Sequence, residues 1–250
     1  MIPQLLTDRR VLVTGGANGI GAAVARRLAE MGARPAVLDL PDAVATSDAG
    51  WPAVAADVTD ESAVEAAITE CAQMLGGLDA VVAAAGVVPT WQRPLEWDLD
   101  DLVRVFAVNV RGVAATIKHS AACLGPGGTI TVVASLNSWR GDPNIASYAA
   151  SKHAVLGLVR SAALALGRDG IRVNCVGPGP VATGALRTRM AQRSESTGLT
   201  VDDALEQAAR ATALGRIATV DDVADTIAFL TSDLSHGIAG QLINVDGGVL

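Results

Sequence analysis

Aromatic residues are scarce in this chain: Phe, Trp and Tyr make up 3% of its 250 residues, while half of the residues are hydrophobic. A core of the size this length allows is therefore built mainly from Ala, Val, Leu and Ile. Cysteine is scarce as well. Cys71, Cys123 and Cys175 are far apart and form neither a metal-ligand nor a redox spacing, so small buried thiols in a reducing compartment are expected. His119, His153 and His236 fit no metal spacing either. Positive charge is in deficit. The net charge of −7 argues against a nucleic-acid partner and favours a soluble protein. No apolar run is long enough to cross a bilayer, and no N-terminal stretch joins basic residues to a long apolar segment, so a cytoplasmic location is expected. Repeats, low-complexity tracts and linkers are missing too, which leaves one domain over 1–250.

What is present is alternation. The runs 11–13, 36–38, 53–55, 79–83, 129–134, 171–176 and 242–245 are short and apolar and read as strands. Amphipathic segments near 19–32, 60–75, 99–122, 147–168 and 220–231 lie between them, while the polar stretch 41–51 gives a doubtful helix. Continuous apolar strands separated by helices predict an α/β fold, a doubly wound parallel sheet of about seven strands with both faces covered. The stretch 184–214 breaks the rhythm with Arg187, Arg189, Arg193, Arg210 and a polar run at 194–198. Long insertions at the carboxyl edge of such a sheet commonly close over substrate, and a solvated helical excursion is the alternative.

Chemistry concentrates in three residues. Ser135 follows the fifth apolar run, and Tyr148 and Lys152 stand four apart in Ser-Tyr-Ala-Ala-Ser-Lys, on one face of a helix. A free phenol has a pKa of about 10, and a neighbouring ammonium makes proton transfer at its oxygen feasible near neutrality. Taken alone, such a pair is more often a packed ring beside a solvated amine. A cofactor site beside it would change that. Residues 14–21, Thr-Gly-Gly-Ala-Asn-Gly-Ile-Gly, follow the first strand and open the first helix, where glycine permits a tight turn and free N–H groups face a pyrophosphate. Asp39 ends the second strand, where a carboxylate accepts hydrogen bonds from ribose hydroxyls and repels a 2′-phosphate. Neither Asn18 nor Leu40 supplies a positive charge, so NAD is favoured over NADP. Asp57 follows the third strand, where it meets the adenine or starts the next helix. Asn109 interrupts the apolar stripe of Leu102, Phe106 and Val113, and a buried amide must find partners.

With these motifs placed, the chain resembles the short-chain dehydrogenase/reductase family from Thr14 to its Asp246-Gly247-Gly248 ending. The resemblance implies that Thr14, Gly15, Asn18, Gly19, Ile20 and Gly21 form the nucleotide-binding turn, with Asp39 and Leu40 at the ribose and Asp57 and Val58 at the adenine. It implies Ser135, Tyr148 and Lys152 as catalytic triad, and Asn109 as a fourth member holding a water that links Lys152 to solvent. Pro178, Gly179, Val181 and Thr183 match the segment that grips the nicotinamide. Gly86 allows backbone approach to the adenosine, although Ala83-Ala84-Ala85-Gly86 lacks the family's usual Asn, which ties the central strands together. Relatives are commonly dimeric or tetrameric, so a homo-oligomer is expected, with the Ala-rich helix through 162–166 as one possible contact.

Val88, Trp91, Leu136, Asn137, Trp139 and Pro180 would line a mostly apolar pocket for a secondary alcohol or ketone; each Trp serves equally well as a packing residue. The expected activity is NAD-dependent interconversion of the two. A 3-oxoacyl-thioester reductase of fatty-acid synthesis would want NADPH and a basic docking patch. A dinucleotide-sensing regulator would have no need of the proton relay.

Overall fold

The computed structural model describes residues 4–48, 50–184, 186–188, 190–191 and 198–249. Seven strands form one parallel sheet: β1 (Arg10–Thr14), β2 (Arg34–Asp39), β3 (Ala53–Ala55), β4 (Ala80–Ala83), β5 (Thr129–Val133), β6 (Arg172–Pro178) and β7 (Leu242–Val245), in the order β3-β2-β1-β4-β5-β6-β7. The order reverses between β1 and β4. Open α/β sheets bind ligands in the crevice at that switch, outside the carboxyl ends of the strands.

Alternation along each strand assigns its residues to two cores. Val11 and Val13 join Val24 and Leu28 of α1 (Gly19–Glu30) and Val223 and Ile227 of α8 (Val220–Thr231). Leu12 points the other way, to Val64 and Ile68 of α3 (Glu61–Leu75). Farther along that second face, Ile130 and Val132 meet Ile117 of α5 (Val113–Ala121) and Val155 and Val159 of α6 (Ala146–Leu166). Leu12 and Ile68 are fully buried, and truncating either to Ala costs about 2–5 kcal/mol. Both faces are covered, which explains why the strands read as unbroken apolar runs.

Two readings change. The doubtful segment after β2 does contain a helix, α2 (Pro41–Ala45); proline at its start fits the first turn, but no residue in it is buried. The region read as one helix over 99–122 is instead α4 (Leu99–Phe106), a π-helical turn (Ala107–Gly112) and α5. An inserted residue of this kind recurs at functional sites, and Asn109 sits inside it.

Candidate active site

The glycine turn at the end of β1 is built by close approach. Gly15 has φ +66°, and a Cβ there would lie 2.7 Å from the Ala85 backbone. A Cβ on Gly21 would collide with the Gly15 carbonyl, so α1 starts directly against the turn. Gly19, at φ +56°, faces open space. The Asn18 side chain makes no capping bond and the first turn of α1 holds no acidic residue, which leaves its N–H donors and helix dipole uncovered for an anion. By contrast α3, α4, α7 (Val201–Arg210) and α8 are capped by Asp60, Asp98, Thr200 and Thr219. The uncovered α1 terminus beside an open glycine fits the pyrophosphate of a dinucleotide.

Asp39 lies over the same turn. Its carboxylate accepts from Ala17 N at 2.9 Å and Leu40 N at 2.8 Å. Each oxygen retains a lone pair for a ribose hydroxyl. Asp57 is exposed and accepts from Thr59 N at 2.9 Å; Asp60, not Asp57, caps α3. Val58 is buried, in contact range of the space that a Cβ on Gly112 would occupy. The strand junction lacking the Asn is tied by Thr14, whose carbonyl accepts from Ala84 N at 3.1 Å and whose hydroxyl accepts from Ala85 N at 3.5 Å.

The acid–base candidates meet beyond β5. Ser135 is buried, and its Oγ accepts from Asn137 N at 3.1 Å and reaches Asn137 Oδ1 at 3.4 Å. Lys152 Nζ donates to the Val133 carbonyl at 2.9 Å and lies 5.6 Å from the centroid of the Tyr148 ring. Burial pushes the Lys152 ammonium down to about 8, with a small opposing effect from Cys175. Holding an ammonium in such surroundings costs stability, and groups perturbed in this way concentrate at functional sites. Asn109 is fully buried; its Oδ1 accepts from Val87 N at 2.8 Å and its Nδ2 donates to Val87 O at 2.9 Å. Those two bonds fix which way the amide points. A Cβ on Gly86 would stand 3.3 Å from Asn109 Oδ1 and 3.7 Å from Lys152 Nζ, so both atoms border one space.

Pro178 ends β6, and a Cβ on Gly179 would strike Asp246. Val181 bridges Ala218, and Thr183 Oγ1 accepts from Leu186 N at 3.2 Å, which starts a helical turn. Within 184–214, α7 has no buried residue, Arg187 pairs with Asp202 at 3.6 Å and Arg210 with Glu206 at 2.6 Å. Arg189, Arg193 and residues 194–197 of the polar run lie outside the described residues. The excursion returns through a Thr212–Val249 bridge and bonds from Ala213 N and Leu214 N to the carbonyls of Gly248 and Gly247. Of the pocket candidates, Trp91 and Trp139 are exposed, while Val88, Leu136, Asn137 and Pro180 are half-buried.

Comparison with known proteins decides the family. A family model described as enoyl-(acyl carrier protein) reductase matches residues 15–250. Short-chain dehydrogenase reductase 5 of Arabidopsis thaliana is 40% identical, over 99% of this chain and 96% of its own. The chain belongs to the short-chain dehydrogenase/reductase family. The (+)-cis,trans-nepetalactol synthase of Nepeta racemosa is 41% identical over 100% of this chain and 94% of its own. Among solved structures, an NAD+-bound xylitol dehydrogenase superposes with a TM-score of 0.88 at 28% identity, covering 97% of this chain and 99% of that one. An NADP complex of a short-chain dehydrogenase from Burkholderia cenocepacia gives 0.84 at 35% identity, covering 98% and 99%. This family member is an oxidoreductase acting on CH–OH groups with a nicotinamide dinucleotide.

One polar group at the site was missed in the sequence. Ser151 is fully buried, accepts from Asn109 Nδ2 at 3.1 Å and donates to the Tyr148 carbonyl at 2.7 Å. The signal was available: Ser151 lies on the same buried stripe of α6 as Val155 and Val159.

Proposed function

We propose that this chain is an NAD-dependent dehydrogenase interconverting a secondary alcohol and its ketone, with Tyr148 as the acid–base. The observation that carries the reading is the buried Lys152 ammonium beside the Tyr148 ring, at the carboxyl edge that also presents the uncapped α1 turn. When bound, the dinucleotide supplies the hydride donor or acceptor. Everything else falls to side chains and backbone of this chain. The N–H groups at the start of α1 hold the pyrophosphate, Asp39 accepts from the adenosine ribose, and the 178–183 segment orients the nicotinamide end. Ser135 donates to the substrate oxygen. Tyr148 takes the proton of the alcohol hydroxyl in oxidation and returns one to the ketone oxygen in reduction. Lys152 favours the ionised phenol by its positive charge, and Asn109 keeps the route from Lys152 to solvent in place.

Tyr148→Phe removes only the phenolic oxygen. Turnover of NAD over a panel of secondary alcohols should fall by at least ~10²-fold, with dinucleotide affinity nearly unchanged. Retention of more than a few per cent of activity would remove Tyr148 from the central role. The same panel run with NADPH and acyl thioesters distinguishes a thioester reductase, and tight NAD binding without turnover a sensor.

The preference for NAD rests on the Asp39 carboxylate at the ribose position, which repels a 2′-phosphate. Asp39→Ala should weaken NAD and narrow its advantage over NADP by about 10-fold or more, the scale of one lost charge-assisted interaction. An unchanged ratio of kcat/KM values sinks the assignment.

The 184–214 segment is proposed as a lid over the substrate, since it leaves β6 directly after the nicotinamide-gripping residues. We also propose a homodimer or homotetramer. Its support is apolar surface left uncovered on α4 and α6, where Leu99, Val103 and Leu164 are exposed. Sedimentation equilibrium at micromolar concentration checks this; a monomer there contradicts it.

A further inference from the structure

Ser151 stands inside the Ser-Tyr-Ala-Ala-Ser-Lys run but has been given no role so far, yet its hydroxyl links two pieces of the proposed proton path. It lies on α6 one turn beyond Tyr148 and directly before Lys152, with no solvent exposure. Its one proton is committed to the Tyr148 carbonyl, at 2.7 Å, so towards Asn109 it can only accept. Asn109 Nδ2 supplies that bond at 3.1 Å and shares its other proton with Val87 O at 2.9 Å. The order of donors is therefore fixed from end to end: Val87 N to Asn109 Oδ1, Asn109 Nδ2 to Ser151 Oγ, Ser151 Oγ to Tyr148 O. Every buried polar atom in this chain of bonds has a partner, the condition under which such networks hold one arrangement.

The consequence falls on a particular atom. Asn109 Oδ1 and Lys152 Nζ both border the space over Gly86, which is exposed and has no side chain to fill it. Asn109 stands in the π-helical turn Ala107–Gly112; its two bonds to the Val87 backbone set which way the carboxamide faces, and its bond to Ser151 ties that carboxamide to α6. We propose that Ser151 is a positioning residue for the reaction: its hydroxyl fixes the Asn109 carboxamide against the helix carrying Tyr148, and so holds open the proton route at Lys152. This rests on the acid–base reading of Tyr148 and Lys152 given above.

Removing the hydroxyl leaves one Asn109 N–H without a partner and cuts the tie between the carboxamide and α6, while the two bonds to Val87 remain. Ser151→Ala should lower kcat about three- to tenfold, the scale of one neutral hydrogen bond, with the KM for NAD unchanged. A lost fold would lower both and would show in the thermal midpoint. The distinguishing readout is the solvent deuterium isotope effect on kcat, which should rise as proton delivery becomes slower than hydride transfer. Ser151→Thr, which keeps the hydroxyl, should retain the wild-type isotope effect. In an Asn109→Ala background, Ser151→Ala should add no further loss, because the group it positions is gone. Should Ser151→Ala fail to fold, Ser151→Cys replaces it: similar volume, a weak acceptor, and a raised isotope effect expected. Wild-type kcat and isotope effect in Ser151→Ala, or in Ser151→Cys where that stands in for it, overturn the proposal, as do fully additive losses in the double variant. Failure of the underlying reading looks different: Tyr148→Phe would then remain active, whereas an inactive Tyr148→Phe beside an unaffected Ser151→Ala refutes the role of Ser151 alone.

Discussion

The two edges of the sheet treat charge in opposite ways. At the amino edge a cleft of about 730 Å³ is lined by residues 4–10, 77–79 and 125–128 with Cys123 and Asp233, yet it holds none of the site residues. Four of its charged groups, Arg9, Arg10, Asp79 and Asp233, are used on each other and on the backbone. Arg10 donates Nε and Nη2 to the two oxygens of Asp79, at 2.8 and 2.6 Å, and also reaches the Gly76 carbonyl. Arg9 bonds the Gly127 carbonyl at 2.7 Å and pairs with Asp233 at 3.1 Å. Arg172 closes the same end onto the Leu230 and Ser232 carbonyls. Among the candidate site residues at the carboxyl edge the charges are held but not neutralised: Lys152 has a carbonyl for a partner, Asp39 has backbone N–H groups, and α1 has no cap. One edge spends its electrostatics on stability and the other keeps them available for a ligand.

The sharpest way to break this contrast is Lys152→Met, which keeps an unbranched side chain one atom shorter and removes the charge. Turnover should fall about 10²–10⁴-fold, the range of a lost acid–base contribution. The thermal midpoint of the protein without dinucleotide should stay level or rise, because a desolvated ammonium is removed from the interior. A fall of several degrees would make Lys152 a structural residue like those of the other edge.

Asp79→Asn is the mirror experiment. The Arg10 guanidinium holds the Asp79 carboxyl below its usual value, and the pair is about one-third exposed. Loss of the charge should cost about 1–2 kcal/mol in denaturant unfolding and leave kcat and KM unaltered. A kinetic change with normal stability would show that the amino edge communicates with the site.

Much of this contrast was legible in the sequence. The strands were readable because burial on both faces leaves no polar alternation, and the carboxyl-edge residues because Gly15, Asp39 and Ser135 each stand where an apolar run ends. The break in the helix at Ala107–Gly112 was not readable: the stripe of Leu102, Phe106 and Val113 is compatible with one continuous helix, and the π turn accompanies bonds from Asn109 to Val87 and Ser151, distant in sequence. Asn109 is legible as a buried amide with partners because a polar residue interrupts an apolar stripe. The same test applied to α6 would have found Ser151 beside Lys152. The amino-edge network was opaque for a related reason: Arg10 and Asp79 meet only because β1 and β4 are neighbours in the sheet, and no local pattern states that pairing.

The smallest expected effect concerns pH, and it separates the edges by where each titrates. Asp79 has its pKa lowered in the folded state, so the stability it contributes is present above its ordinary value of about 4 and is lost as the pH falls through the folded value. Lys152 works with the opposite sign. Its folded value of about 8 lies below the unfolded value of about 10.4, so the unfolded chain holds the proton more tightly. Its unfavourable contribution is therefore complete below pH 8 and fades as the pH rises towards 10.4. The difference in thermal midpoint between Lys152→Met and the wild type should narrow between pH 7.5 and pH 10, while that of Asp79→Asn should stay constant there and shrink only in acid. Calorimetric scans of the three proteins at matched ionic strength measure both. A Lys152→Met difference that does not move with alkaline pH would mean that the ammonium is not held in a desolvating environment, and the opposition between the two edges would then rest on their hydrogen bonds alone.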